Sequence, residues 1–175
     1  MPNQQAVLLG HLSDMARSHH AWVESMGWHN KTTTESLTLI GEEIGEAVRE
    51  CRGKEPSAHF HEEVADILLR IMDLDIHLNL GVAHANLEDV ISQEARFILL
   101  MRQEQPITHI ALMANLYVWL GRAISEQPLG QPTLRKHLQK IMAFCFALVG
   151  IEPLHAALLA KIEKNQERGN RERHF

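Results

Sequence analysis

The sequence predicts an all-α helical bundle of about six to seven helices. In segment after segment of the 175-residue chain, apolar residues recur three and four positions apart, the spacing that gathers them on one face of a helix. No segment shows the strict apolar and polar alternation that is typical of a half-buried strand. The length and a hydrophobic content of 45% suit one domain with its own core, so we expect residues 1–175 to form a single domain.

Two helices are predicted in the first part of the chain. Apolar side chains at helical spacing place the first helix over about residues 5–26. Thr32, followed three residues later by Glu35, has the form of a capping box, in which two side chains bond the unpaired N–H groups at a helix start. The second helix is therefore predicted to begin near Thr33 and to end near Gly53.

The third predicted helix opens at Pro56 and Ser57, because proline is well tolerated in a first helical turn. Its end is predicted at about residues 79–81, where asparagine and glycine can adopt the left-handed conformation that closes many helices. Asp75 falls on the apolar face of this helix. The sequence alone gives no reason for a carboxylate at that position.

The remaining helices follow the same periodicity. A fourth begins with Asn86 as its cap and ends before Pro106, and a fifth covers about residues 107–125. After the turn-like segment QPLGQPT, a sixth is predicted over about residues 134–149. A seventh begins at Pro153, which again suits a first turn.

A weak internal repeat relates two parts of the chain. A shift of 73 residues lays LIGEEIGEAVREC over LMANLYVWLGRAI, so that two helical hairpins would lie in tandem. The first is an acidic hairpin at about residues 33–80, and the second lies in a helical half at about residues 86–168, before a frayed basic tail at 169–175. The second copy lacks the carboxylates of the first, so we expect one metal site in each chain and a degenerate second hairpin that completes the bundle.

Composition narrows the classes of function. The formal net charge is −5, with acids concentrated between residues 42 and 66, which is not the footprint of a general nucleic-acid binder. Cys51 and Cys145 each lie in an apolar helical pattern, which argues against a disulfide framework or a zinc site. The sequence has no apolar run of about eighteen residues and no signal-peptide pattern, so we expect a cytoplasmic protein without a membrane partner.

Four carboxylates of the acidic hairpin are spaced to share one point. Glu43 and Glu46 are three residues apart on the second predicted helix, and Glu63 and Asp66 are three apart on the third, which puts each pair on one stripe. Four acids around one point repel one another unless a cation lies among them, and oxygen ligands favour Mg²⁺ or Mn²⁺. Some basic residues are near in sequence, but their spacing does not require them to face the acids; they are Arg49, Arg52, Lys54 and Arg70.

These residues resemble the signature of the all-α NTP pyrophosphatases, the MazG-like nucleotide pyrophosphohydrolases. That signature is EExxE followed after a gap by ExxD, and this chain has EEIGE at residues 42–46 and EVAD at 63–66. GWHNKTTTESL is similar to the family's Trp-containing loop before the first acidic helix, so the resemblance covers about residues 22–80. KIEKNQER at 161–168 is similar to the family's C-terminal segment, whereas the stretch between 81 and 160 departs from compact members.

The resemblance implies hydrolysis of an NTP or dNTP between the α and β phosphorus atoms, giving the monophosphate and pyrophosphate. Mg²⁺ ions held by Glu43, Glu46, Glu63 and Asp66 would bridge phosphate oxygens and activate a water molecule. With the metal supplying most of the activation, the protein needs only a modest base.

Residues around the four acids complete the predicted site. Glu42 is the predicted water-activating residue and Glu50 the alternative, although either could be a solvated surface acid. Substrate contacts are predicted at Trp28, Lys31, Lys161, Asn165 and Arg168. The last three match the family's phosphate contacts, the lysine at position 31 adds a cation, and the tryptophan would stack on a base or wall the pocket. The basic tail could also be a helix end that complements the helix dipole.

Two alternatives keep the same fold. A phosphoribosyl-ATP pyrophosphohydrolase would differ in its substrate, and a non-enzymatic helical interaction or regulatory module would carry vestigial acids. The resemblance also implies a homo-oligomer, most simply a dimer, because family members generally form dimers or tetramers.

Overall fold

Eight α-helices and one short 3₁₀ helix make up the described part of the chain. The computed structural model describes residues 4–28, 32–53, 55–83, 86–104 and 107–172. Those residues contain no strand, so the predicted all-α bundle is confirmed. The helices are α1 (Gln4–Gly10), α2 (Leu12–Met26), α3 (Thr33–Glu50), α4 (Phe60–Leu78), α5 (Leu87–Glu104), α6 (His109–Glu126), the 3₁₀ helix Gln127–Leu129, α7 (Gln131–Val149) and α8 (Ile151–Glu172).

Several helix ends match the sequence signals, and others differ. The capping box is present, since the Thr32 side chain accepts from the Glu35 N–H and the Glu35 carboxylate accepts from the Thr32 N–H. The first predicted helix is broken at His11 into α1 and α2. Helix α4 begins at Phe60, later than Pro56 and Ser57 indicated, because the Ser57 N–H donates to the Glu50 carbonyl at 2.9 Å and closes a turn after α3.

The predicted frayed tail also differs from the structure. Helix α8 continues past residue 168 to Glu172, and Gly169 is buried against α2. A Cβ atom at Gly169 would lie 3.0 Å from Cζ2 of Trp22 and 3.1 Å from Cε of Met26. The missing side chain thus allows α8 to approach α2 closely at this point.

Asp75 has a structural role that the sequence did not reveal. Its side chain is buried, and its carboxylate accepts from the backbone N–H groups of Val82 at 2.9 Å and Ala83 at 3.4 Å. These two residues follow α4 in the chain and are themselves buried. The carboxylate therefore takes the place of water for a loop that is folded into the core.

Two helical hairpins pack against each other, α3 with α4 and α6 with α7. Helix α3 packs against α4 and α6 against α7, while α3 also contacts α6 and α4 contacts α7. Helices α2 and α8 pack on α4, and α5 packs on α7. The core lies between these helices and includes the fully buried side chains of Leu37, Ile40, Ile44, Ile67, Ile71, Leu112, Leu116, Met142 and Phe144.

Two glycines set how closely the hairpins approach. A Cβ atom at Gly41 of α3 would lie 3.1 Å from Cδ2 of Leu120, and one at Gly45 would lie 3.3 Å from the Tyr117 hydroxyl. Both partners belong to α6. The acidic helix α3 is therefore held against the second hairpin along its glycine face.

Within the described ranges no single helix is long and apolar enough to cross a membrane. Helices α7 and α8 reach that length and composition only together, and they are bent by 109° at the break between them.

We predict that Asp75→Ala lowers the free energy of unfolding by roughly 2–3 kcal/mol, because each buried N–H left without an acceptor costs about 1–3 kcal/mol. Urea denaturation of the wild type and the variant measures the difference. Asp75→Asn is the matched control, since its carboxamide oxygen still accepts one bond, and it should lose less. Equal stability of wild type and Asp75→Ala would show that the loop does not depend on this carboxylate.

Candidate functional site

Three of the four predicted metal ligands converge. Glu43 of α3 and Glu63 and Asp66 of α4 each place one carboxylate oxygen within 4.8 Å of the others, and all three side chains are half-buried. The spacing of Glu63 and Asp66 puts them on one stripe of α4, which packs directly on α3. Across the described ranges this is the one such group of three or more His, Cys, Asp or Glu side chains.

Burial and mutual repulsion strain this acid cluster. Desolvation, reinforced by the charges of Glu43 and Glu63, raises the pKa of Asp66 to about 6 despite a hydrogen bond from Lys161. Burial also raises the pKa of Glu63, and the charge of Glu46 adds to the rise. The cluster is therefore short of positive charge. Its oxygen donors are those that hard divalent ions such as Mg²⁺ and Mn²⁺ prefer, so the residues fit the expected ion.

Glu46, the fourth predicted ligand, lies at the edge of the cluster. Its carboxylate accepts from the guanidinium of Arg49 at 2.6 Å on the same helix. It is close enough for its charge to affect the pKa of Glu63, but it is not one of the three converging ligands. Ligation by Glu46 would require its carboxylate to leave Arg49.

Basic side chains do face the acids. Besides Arg49, Arg70 pairs with the cluster, because its Nε donates to Oε1 of Glu43 at 3.0 Å. Position 70 is one helical turn beyond Asp66, so its side chain shares the stripe of the acids. Sequence spacing did not require either contact, and the three-dimensional arrangement provides both.

A lysine from α8 links the cluster to a second acid. The Lys161 amine contacts Oδ2 of Asp66 at 2.6 Å and Oε1 of Glu62 at 3.1 Å. Lys164 also donates to Glu62, and the hydrogen bonds from Lys164 and Lys161 lower the pKa of Glu62 to about 2. Burial disfavours the charged form of Lys161, yet the two carboxylates outweigh it and raise the pKa of that amine. A permanent cation is thus held beside the cluster.

A cleft of about 250 Å³ opens from the acid cluster. It lies between α2, α3, α4 and α8, and it gathers six of the predicted site residues in one place. The residues that line it are His19, Trp22, Val23, Trp28, Glu43, Asp66, Leu69, Arg70, Asp73, Lys161, Asn165 and Arg168. The C-terminal residues that sequence similarity assigned to substrate therefore lie beside the acids.

Aromatic residues form another wall of the cleft. Trp28, which is 43% exposed, meets Trp22 edge to face with ring centroids 5.3 Å apart. His19 stacks on Trp22 at 5.8 Å. His19 is buried, its Nδ1 has no hydrogen-bond partner among the described residues, and burial lowers its pKa to about 4, so the ring is neutral near pH 7.

His19, Trp22 and Asp73 were not predicted as site residues. Trp22 was assigned to the apolar face of the first helix, which is typical of core packing. Asp73 follows Asp66 and Arg70 at helical spacing along α4, so the sequence placed it on the same stripe. That spacing alone did not assign it to the site. In the structure Asp73 accepts from Nδ1 of His20 at 2.7 Å.

The structure does not bring the predicted catalytic acids into the cleft. Glu42 is exposed and does not line it, because adjacent residues of a helix point about 100° apart and Glu43 takes the inward direction. Glu50 accepts a hydrogen bond from the Ser57 hydroxyl and so ties down the loop after α3. Water activation by Glu42 stays a prediction, and Lys31 lies outside the described residues.

The second hairpin has different chemistry at the corresponding positions. Leu116, which the shift aligns with Glu43, is buried, and Trp119, aligned with Glu46, stacks on His137 at 6.0 Å. The nearby Lys140 amine pairs with buried Glu94 at 2.6 Å. The Trp119 stack, the contact of His137 with Glu126 at 2.8 Å and the pair of Lys140 with Glu94 of α5 thus lie here in place of an acid cluster.

Comparison with known proteins gives no independent identification. No family model, curated protein or solved structure matches the chain. The function of the chain is therefore inferred from the motif residues and from the geometry of the cleft.

We predict that Glu63→Gln stabilises the protein in metal-free buffer by roughly 0.5–2 kcal/mol, because it removes one charge from a repelling cluster. Thermal unfolding in EDTA and in excess Mg²⁺ measures both states. Mg²⁺ should raise the midpoint of the wild type and leave that of the variant nearly unchanged. Asp89→Asn, an exposed change on α5, is the control and should respond to Mg²⁺ as the wild type does. A wild type that is indifferent to Mg²⁺ would contradict the metal site.

A second prediction concerns acid stability. His19 has a pKa near 6.5 when unfolded and about 4 when folded, so only the unfolded chain gains a proton as the pH falls through that window. The contribution of neutral His19 to the free energy of unfolding is therefore constant above pH 6.5 and is lost as the pH falls towards 4. Between about pH 8 and pH 4.5 the wild type should lose roughly 2–3 kcal/mol from this residue.

The matched variant is His19→Phe, which keeps a ring against Trp22 but does not titrate. Urea denaturation at both pH values should show that the variant becomes more stable relative to the wild type on acidification. If the difference between the two proteins is the same at both pH values, His19 is not a buried neutral histidine.

Proposed function

We propose that the protein is a Mg²⁺-dependent nucleoside triphosphate pyrophosphohydrolase that cleaves NTP or dNTP between the α and β phosphates. The observation that carries the proposal is the meeting of two groups of residues from distant parts of the chain. Carboxylates of the EExxE and ExxD motifs converge within 4.8 Å, and Lys161, Asn165 and Arg168 of α8 line the same cleft.

The acids and the α8 residues have complementary tasks. Glu43, Glu63 and Asp66 would hold the ion, which supplies positive charge that offsets the charge of the phosphates and polarises water. Lys161 and Arg168 would contact phosphate oxygens on the side away from the ion, as lysine and arginine commonly do. When Asp66 turns to an ion, Lys161 keeps its contact with Glu62 and stays in the cleft as a cation.

The aromatic wall supports a nucleoside rather than pyrophosphate alone as the ligand. Trp22 and Trp28 offer apolar ring surface at the cleft, and a base has a flat face that packs well on such rings. Neutral His19 adds no charge to this wall. Acids and cations at one side and rings at another match the two halves of a nucleotide.

One observation favours the non-enzymatic alternative. Three of the four acids have basic partners, and the pairs are Glu43 with Arg70, Glu46 with Arg49 and Asp66 with Lys161. A cluster neutralised by the protein needs no ion. However, the pKa values of Glu63 and Asp66 remain raised, and Glu63 has no ion pair with a described residue, so these cations do not offset the repulsion completely.

Self-association forms part of the proposal. Large apolar side chains are exposed on α5 and α6, on the side of the second hairpin. They are Phe97, Leu99, Leu100, Ile110, Tyr117, Val118 and Ile124. A homodimer formed through α5 and α6 would cover part of this apolar area and leave the cleft between α2, α3, α4 and α8 accessible.

The test is incubation of the purified protein with each NTP and dNTP in Mg²⁺, with the products identified by chromatography. We expect monophosphate and pyrophosphate, and we expect Asp66→Asn and Glu63→Gln to reduce the rate by about a hundredfold or more. Asp89→Asn should retain wild-type activity. Release of orthophosphate in place of pyrophosphate would refute the proposed bond cleavage, and no turnover of any triphosphate would favour the non-enzymatic alternative.

A further inference from the structure

The cleft contains a carboxylate that the acid cluster does not use. Asp73 lines the cleft, and its side chain is 15% exposed. It lies seven residues beyond Asp66 on α4, which separates the two by about 10 Å along the helix axis. That separation is too large for both carboxylates to ligate one ion. Asp73 therefore needs a role other than metal binding.

A histidine holds this carboxylate in place. Nδ1 of His20 donates to Oδ1 of Asp73 at 2.7 Å, and the two side chains are similarly buried. Nε2 of His20 faces Oε1 of Glu24 at 3.6 Å, near solvent. No described residue donates a hydrogen bond to Oδ2 of Asp73. An ionised carboxylate accepts only, so this end of the cleft offers an oriented acceptor.

The charge of Asp73 also fixes the direction of a bound nucleotide. Phosphates are repelled by the Asp73 carboxylate, whereas Lys161 and an ion held by the acid cluster would attract them to the Asp66 end. The nucleoside half of the ligand is then the part that reaches Asp73. A nucleoside carries two kinds of hydrogen-bond donor, the hydroxyl groups of its sugar and the N–H groups of its base.

We propose that Asp73, oriented by His20, is the specificity-determining residue of the cleft and accepts a hydrogen bond from a donor on the nucleoside. The inference rests on the proposed function and narrows its substrate class to nucleotides with a donor at this position. A site built around a hydrogen bond rejects analogues that lack the donor, because Oδ2 of the carboxylate is then left without a partner in a partly dry site.

The experiment compares matched substrates that differ by one donor. The sugar arm pairs each NTP with its dNTP, and the base arm pairs ATP with purine riboside triphosphate and GTP with ITP. For one arm the wild type should favour the donor-bearing member about 10- to 100-fold in kcat/KM. Asp73→Ala, which has no acceptor at this position, should abolish that ratio while the substrate without the donor is turned over at nearly the wild-type rate.

Two further variants separate specificity from folding. Glu24→Gln removes an acid next to His20 outside the cleft lining, and it should keep the wild-type ratio. His20→Phe keeps the charge of Asp73 but removes the hydrogen bond that orients it. The ratio of kcat/KM values should therefore fall between that of the wild type and one. This variant also tests the proposal if Asp73→Ala folds poorly.

A binding arm keeps this inference distinct from the proposed hydrolysis. Calorimetry in Mg²⁺ measures the affinity of the matched nucleoside monophosphates, which have no bond between α and β phosphates to cleave, for wild type and Asp73→Ala. A donor preference that is lost in the variant supports the role of Asp73 even if no triphosphate is hydrolysed, in which case only the proposed hydrolysis fails. Equal ratios in wild type and Asp73→Ala, or no binding of any monophosphate in Mg²⁺, overturn the inference.

Discussion

Repulsion among the carboxylates between α3 and α4 is the constraint on which the site depends. One carboxylate oxygen of each of Glu43, Glu63 and Asp66 lies within 4.8 Å of the others. The helices that carry these residues pack through apolar side chains, so the core holds the charges together. Burial then favours their protonated forms, as the raised pKa values of Glu63 and Asp66 indicate. A protein built only for stability would not concentrate acids at this point. The strain is relieved by cations, either from the chain itself or from an ion.

Helix α8 supplies one of those cations and connects the constraint to the cleft. Lys161 contacts the cluster through Asp66 and remains charged because Glu62 shares it. Since α8 also packs on α2, the same helix positions Asn165 and Arg168 along the cleft. Helix α8 thus contributes a cation to the acid cluster and also forms part of the wall of the cleft.

The sequence predicted those features that depend on local spacing. Helical periodicity, the Thr32 capping box and the stripe of Glu63 and Asp66 are properties of neighbouring residues, and each is present. Contacts between distant segments were not predictable in this way. Arg70 reaches Glu43 and His20 reaches Asp73 only because α2, α3 and α4 pack in one particular register. A motif names the ligands, but it does not say which neighbours neutralise or orient them.

The second hairpin supports the packing that keeps the acids close together. It packs on α3 through Gly41 and Gly45, where side chains of α6 already lie at contact distance. In place of acids it has the Trp119 stack and the Lys140 and Glu94 pair, which repel nothing. The repulsion among converging carboxylates is therefore confined to the hairpin of α3 and α4. Because the two hairpins share a core, the half without an acid cluster can hold α3 and α4 in the register that brings the acids together.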